Sequence, residues 1–179
     1  MEQVRFGIVG LGNMGSGHLK NLFGGKVPGA VLTAVCDVKQ DRLDWAKEQC
    51  GDADIAYFLD YKEMLNSGKI DAVMIATPHY FHPIIGMDAF DAGIHVLSEK
   101  PIGVYTKKVY EFMAKAEEHP ELTFGIMYNQ RTDNFFQKMR EMVQSGELGE
   151  LKRCIWIITD WYRTQAYYNS GGWRATWAG

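Results

Sequence analysis

The apolar run His95-Val96-Leu97 is broken off by Glu99, Lys100 and Pro101 in succession, which puts a primary amine where a buried strand should end. A proline biases the residue before it away from helical dihedrals, so Lys100 is expected to stay extended rather than wind into the next helix. In a cleft, such an amine can donate to a hydroxyl or carbonyl, and when desolvated it can carry the proton that must move with a hydride. The same residues would equally suit an exposed acid-amine pair in a polar loop. A second constellation is "IVGLGNMGSGHLK", where Gly10, Gly12 and Gly15 have G-x-G-x-x-G spacing directly after a strand and at the start of a helical pattern. The first glycine permits a tight turn, the second lets the backbone approach a pyrophosphate, and the third lets helix and strand pack closely. The helix N-terminus then turns free N–H groups and a positive dipole end toward the anion.

Asp37 closes "TAVCD", where a carboxylate can accept from both hydroxyls of an adenosine ribose and would repel a 2′-phosphate. NAD is therefore expected ahead of NADP, although Lys39 and Arg42 lie close enough in sequence to serve a phosphate. The alternative is a nucleotide-free glycine turn with Asp37 as a helix N-cap. A third stretch, "IATPHYFHP", places Thr77, His79 and His82 in the turn after another strand, where ligands lie in open α/β sheets. No acid or cysteine accompanies the two histidines at helical spacing, so no metal is expected. His82, just before Pro83, suits capping or packing as well as chemistry.

These groups need a scaffold that brings several strand ends together, and the chain supplies one. "VRFGIVG", "AVLTAVCD", "DAVMIATP", "HVLSE" and "LTFGIMY" are apolar on consecutive residues, as strands buried on both faces are. Helical patterns alternate with them at Asn13 to Phe23, Gln40 to Cys50, Tyr61 to Asn66, Pro83 to Ala92 and Thr106 to Glu118. The order predicts a Rossmann-type α/β domain, residues 1–128, with a parallel sheet and helices on both faces. From residue 129 to 179 the pattern changes. Helical spacing runs from Thr132 to Gln144, Gly146 and Gly149 mark a turn, and "LKRCIWIITDWY" has the composition of one long strand. A lone strand cannot satisfy its backbone or its faces. We expect its partners in further chain, as the incomplete start of an α+β substrate domain; docking as an edge on the first domain is the alternative.

Composition excludes several classes of function. With 19 Lys+Arg against 22 Asp+Glu there is no basic excess for a nucleic acid, and no apolar run approaches a membrane span. Three scattered cysteines suggest neither a disulfide framework nor a zinc site, and with no apolar N-terminal run the expected setting is the cytoplasm. The end of the chain interleaves Trp161, Tyr162, Tyr167, Tyr168, Trp173 and Trp177 with Arg163 and Arg174. Such a mixture suits either a sugar-pocket wall or an oligomer interface, with Arg163 and Trp173 the candidates for substrate contact.

Taken in order, "GLGNMG", Asp37, "ATPHYFH", "EKPIG" and "MYNQR" resemble the glucose-fructose oxidoreductase, inositol dehydrogenase and rhizopine-catabolism (Gfo/Idh/MocA) family across essentially the whole chain. The resemblance implies a two-domain NAD(P)-dependent oxidoreductase of sugars, cyclitols or related polyols, which forms homo-oligomers through an open C-terminal sheet. It places Gly10, Gly12, Asn13, Met14 and Gly15 on the cofactor loop and Asp37 on the ribose. Thr77, His79, His82 and Glu99 fall beside the cofactor, His79 standing where the family often has Asn. Lys100 becomes the catalytic or substrate-orienting group, while Asn129 and Arg131 enter the second domain near cofactor and substrate. The family's downstream catalytic histidine would lie past Gly179, so these residues alone are expected not to turn over. An NAD-dependent glycosidase working by transient oxidation, or a nucleotide-sensing regulatory module, would share the same features.

Overall fold

A computed structural model describes residues 3–159, 162–170, 174 and 176. Backbone proximity divides the chain into two units, Met1–Met127 and Tyr128–Gly179.

The first unit alternates strand and helix: β1 (Val4–Val9), α1 (Asn13–Phe23), β2 (Ala30–Cys36), α2 (Gln40–Cys50), β3 (Ala56–Phe58), α3 (Tyr61–Leu65), β4 (Ala72–Ile75), α4 (His82–Asp91), β5 (His95–Glu99), α5 (Thr106–Glu117) and β6 (Phe124–Met127). The six strands form one parallel sheet in the order β3-β2-β1-β4-β5-β6. The order reverses at β1, so the crevice between the ends of β1 and β4 is the topological switch point at which such sheets bind ligands.

Successive residues of each strand point to opposite faces, which explains the unbroken apolar runs. Ile8, Val35 and Met74 pack with Leu19 and Leu22 of α1 and Leu43 and Ala46 of α2. Their neighbours Val9, Ala34 and Val73 pack on the other face with Met64 of α3, Ile85 and Phe90 of α4, and Phe112 of α5. Full burial of side chains such as Phe90 and Phe112 is worth about 1.5 to 3 kcal/mol each.

α4 and α5 meet tightly at Gly86, where an added Cβ would overlap the Phe112 ring. Gly86→Val should therefore destabilise the unit by about 1 to 3 kcal/mol through overpacking. The check is a lower urea midpoint at an unchanged slope.

Expectation and structure differ in four places. β3 has only three residues, too short to register as an apolar run, and pairs Ala34 with Ala56 through Cys36 with Phe58. In the second unit residues 129–132 form a 3₁₀ turn, and α6 (Asn134–Gln144) begins later than Thr132, because Asp133 caps it by accepting from the Phe135 N–H at 2.9 Å. The expected strand at "LKRCIWIITDWY" does not form over residues 151–159, which join no ladder. Ile155 and Ile157 are 69% and 78% exposed, as follows where no neighbouring strand pairs with them among the described residues. A short helix, α7 (Gln165–Asn169), was not anticipated; Thr164 caps it. Among the described residues no helix is long and apolar enough to cross a membrane.

Candidate functional site

The carboxyl ends of β1, β2, β4 and β5 deliver the chemistry-bearing residues to one edge of the sheet. Gly10 turns the chain after β1 with φ +92°, and its N–H donates to Cys36 O at 2.8 Å. A Cβ at Gly10 would crowd the Ala76 carbonyl, so the β1 and β4 ends are pressed together here. A Cβ at Gly15 would overlap the Gly10 carbonyl oxygen, the close packing the third glycine was expected to allow. A Cβ at Gly12, in contrast, would meet nothing within 4 Å, which leaves the backbone open to a ligand. No side chain caps α1 at Gly12, so its first N–H groups keep their capacity for an anion. Asn13 and Met14 follow, both exposed, Met14 at 53%.

Asp37 does something the sequence did not disclose. Its Oδ2 accepts from the Leu11 N–H at 2.7 Å and its Oδ1 from the Lys39 N–H at 3.0 Å. One carboxylate thus braces the glycine turn and the loop into α2, with lone pairs to spare for further donors. It is not the N-cap of α2; that position is Lys39. Val38 beside it is 83% exposed, an apolar side chain next to the end of β2 that the sequence reading passed over. Cys36 is buried on the other side, its thiol pushed up to about 12 by burial and then by the charges of Asp37, Asp60 and Glu63, so it stays protonated at neutral pH.

The β4 turn carries Thr77, whose Oγ1 is buried without a hydrogen-bond partner. A buried hydroxyl left unpaired costs free energy, so this atom is set to meet a polar group that the protein alone does not supply. His79 opens a 3₁₀ turn over His79–Phe81, and its ring sits edge-on to His82 at 5.7 Å.

His82, expected beside the cofactor, turns its ring nitrogens to the protein's own backbone. The residue is 0% exposed, with Nδ1 2.7 Å from Pro101 O and Nε2 2.8 Å from Thr77 O. It acts on the shape of the turns, because no face of the ring is open to a ligand. A neutral ring can donate to only one of those carbonyls; both contacts are hydrogen bonds together when both nitrogens carry protons.

Glu99, also expected beside the cofactor, is buried as well. At 5% exposure it gives Oε1 to His18 Nε2 at 2.8 Å and Oε2 to the Lys100 N–H at 3.2 Å. His18 was missed, although it shares a helical face with Gly15 three residues earlier, a position that turns a polar side chain toward the sheet edge. Lys100 is exposed, and its Nζ makes no hydrogen bond or ion pair among the described residues.

The other expected residues lie in the second unit or outside the described residues. Asn129 and Arg131 are exposed on the 3₁₀ turn over Asn129–Thr132. Arg131 lines a groove of about 630 Å³ with Arg140, Phe136 and Trp156, the last two stacked at 5.5 Å. Arg163 lies over the Tyr167 ring at 4.5 Å. Trp173, like Trp161 and Trp177, lies outside the described residues.

A switch-point crevice with an open glycine turn, an uncapped helix, a carboxylate at the end of β2 and an unpaired buried hydroxyl is the binding edge of a Rossmann-type dinucleotide domain. The residues fit the cofactor that this fold implies. Residues 4–126 match the oxidoreductase family with an NAD-binding Rossmann fold, Gfo/Idh/MocA, and the chain belongs to that family. The chain is 31% identical to a myo-inositol 2-dehydrogenase from Thermotoga maritima, over 82% of this chain and 42% of that protein. Scyllo-inositol dehydrogenase from Lactobacillus casei, solved with NAD(H) and scyllo-inositol, superposes with TM-score 0.79 at 34% identity, covering 83% of this chain and 43% of that one. WlbA dehydrogenase from Bordetella pertussis, solved with NADH and UDP-GlcNAcA, gives TM-score 0.84 at 25% identity over 99% of this chain and 52% of that one. The chain spans less than half the length of the curated relatives it matches.

Proposed function

We propose that these residues form the cofactor half of an oxidoreductase that moves a hydride between a sugar, cyclitol or related polyol and NAD, with Lys100 handling the hydroxyl proton. The observation that carries the reading is the exposed Lys100 amine at the end of β5, on the same sheet edge as the open glycine turn and the Thr77 hydroxyl, both Lys100 and Thr77 without a side-chain partner among the described residues. The substrate class rests on relatives named for inositols.

In this reading the N–H groups of the glycine turn and of the first turn of α1 hold the pyrophosphate. Asp37 accepts from the ribose hydroxyls, with Met14 and Val38 as apolar flanks. The bound nicotinamide supplies the hydride acceptor. As a carbinol became a carbonyl, its C–H electron pair would leave as hydride to the oxidised nicotinamide and its O–H proton would pass to the neutral Lys100 amine, and the ammonium so formed would donate to the carbonyl oxygen. Asn129 as a cofactor contact, and Arg131, Arg163 and Trp173 as substrate contacts, belong to the same proposal.

The test has two arms. Energy transfer from tryptophan to NADH should report saturable binding to the 179-residue chain. Nicotinamide absorbance should report polyol-dependent reduction of NAD only when the chain is continued to the length of its relatives. Failure to bind NADH would overturn the cofactor site, and turnover by the 179 residues alone would overturn the expectation that later residues complete it.

A further inference from the structure

The peptide that carries Lys100 is gripped from both sides by half-buried or buried histidines. On one side, His18 of α1 holds Glu99 at 2.8 Å, with the two side chains only 13% and 6% exposed, and Glu99 accepts the Lys100 N–H through its other oxygen. On the other side, His82 of α4 reaches Pro101 O through Nδ1 and Thr77 O through Nε2, at 2.7 and 2.8 Å. The residues directly before and after Lys100 are therefore tied to two different elements of the cofactor edge, the helix of the glycine turn and the β4 turn. Nothing comparable restrains the lysine side chain itself, which is exposed and unpartnered among the described residues.

We propose that His18 and His82 are positioning residues that clamp the Lys100 peptide between the glycine-turn helix and the β4 turn. The proposal rests on the reading of Lys100 as the group that meets the reacting centre.

The physical need is plain. A lysine reaches its target over four flexible carbons, so its amine is placed well only if its Cα is fixed, and misplacement of about 1 Å costs on the order of a hundredfold in rate. A loop after a strand end has no ladder to fix it, and hydrogen bonds from buried or half-buried side chains replace that support. The division of labour follows from exposure. His18, Glu99 and His82 are withdrawn from solvent and bonded to protein, whereas Lys100 is left open.

The test reads Lys100 directly and needs no identified substrate. Reductive methylation with ¹³C-formaldehyde gives each lysine its own dimethylamine resonance, and loss of one signal in Lys100→Arg assigns that of Lys100. In the parent chain, saturating NADH is expected to move this resonance. In His18→Ala and His82→Ala the movement should fall by about half or more, while NADH affinity stays within about threefold of the parent and the far-ultraviolet circular dichroism is unchanged. His18→Gln retains an amide N–H able to reach Glu99, and should restore the movement where His18→Ala lost it. That rescue would not be expected of a side chain that merely fills space.

If His82→Ala does not fold, the His18→Ala and His18→Gln pair decides the matter alone. An undiminished movement in a folded His18→Ala or His82→Ala overturns the clamp. A parent resonance indifferent to NADH overturns instead the reading of Lys100, and the clamp's function with it, so the two failures are told apart.

Discussion

Lys100→Met, introduced into the chain continued to the length of its relatives, is expected to lower turnover by about 10² to 10⁴, the usual worth of a positioned proton-transfer group. NADH affinity should stay within about threefold, since the amine is exposed, without a partner among the described residues, and not part of the glycine turn. Methionine keeps most of the length and apolar bulk of lysine, so packing changes little and the loss is of the charge and its protons. The measurement is kcat and KM on the same polyol, with NADH binding followed by energy transfer from tryptophan. A fall in kcat and kcat/KM together, at constant cofactor affinity, is the pattern of an interaction made in the transition state. Retained turnover would remove Lys100 from the chemistry. Equal losses of turnover and NADH binding would recast it as a cofactor ligand. Because the amine makes no ion pair among the described residues, the substitution should leave the urea midpoint nearly unchanged, which separates this outcome from unfolding.

How much of this was legible beforehand depends on whether a residue's role is local. The long strands and α1 could be read from unbroken apolar runs and from helical spacing beside turn glycines, because burial on both faces of a parallel sheet leaves that mark on consecutive residues. β3 left no mark, since Ala56, Tyr57 and Phe58 are too few to make a run, and its existence follows only from its pairing with β2. The stretch Leu151 to Thr159 shows the opposite failure. Its composition favours a strand, but a strand is a relation between two segments and none of the described residues provides the second.

The site divides along the same line. Glycine spacing and the position of Asp37 are local signals, and both residues lie where the pattern puts them. The bonds that hold the site together are not local. His18 and Glu99 are 81 residues apart, His82 and Pro101 19 apart, and Asp37 and Leu11 26 apart. Only the fold brings them within 2.8 Å. A reading by motif placed His82 and Glu99 beside the ligand, as it did their neighbours, and had no means of seeing their bonds to the backbone and to His18.

The second large effect is expected at Asp37, and the structure changes its shape. If the carboxylate served only the ribose, Asp37→Ala would weaken NADH and leave NADPH untouched or improved. Here it also accepts the Leu11 N–H at 2.7 Å, inside the glycine turn. Alanine would remove that brace as well, leaving a half-buried N–H without its partner, a loss of about 1 to 3 kcal/mol on top of the ribose bonds. NADH affinity should then fall by about 10- to 100-fold, while NADPH is weakened by the looser turn and relieved of a repulsive charge at once. The ratio of the two affinities should collapse toward unity with both complexes weak. Asp37→Asn tells the two roles apart. Its amide oxygen can still accept from Leu11, so the glycine turn keeps its brace while the bond from the Lys39 N–H is lost, and with the charge that repels a 2′-phosphate gone NADPH should gain relative to the parent. Both variants can be titrated with NADH and NADPH by energy transfer from tryptophan. If the parent binds the two cofactors equally, Asp37 does not select between them. If Asp37→Asn weakens binding as much as Asp37→Ala does, then the Leu11 brace alone does not hold the site, and the second carboxylate oxygen, which accepts from Lys39, or the charge itself is needed as well.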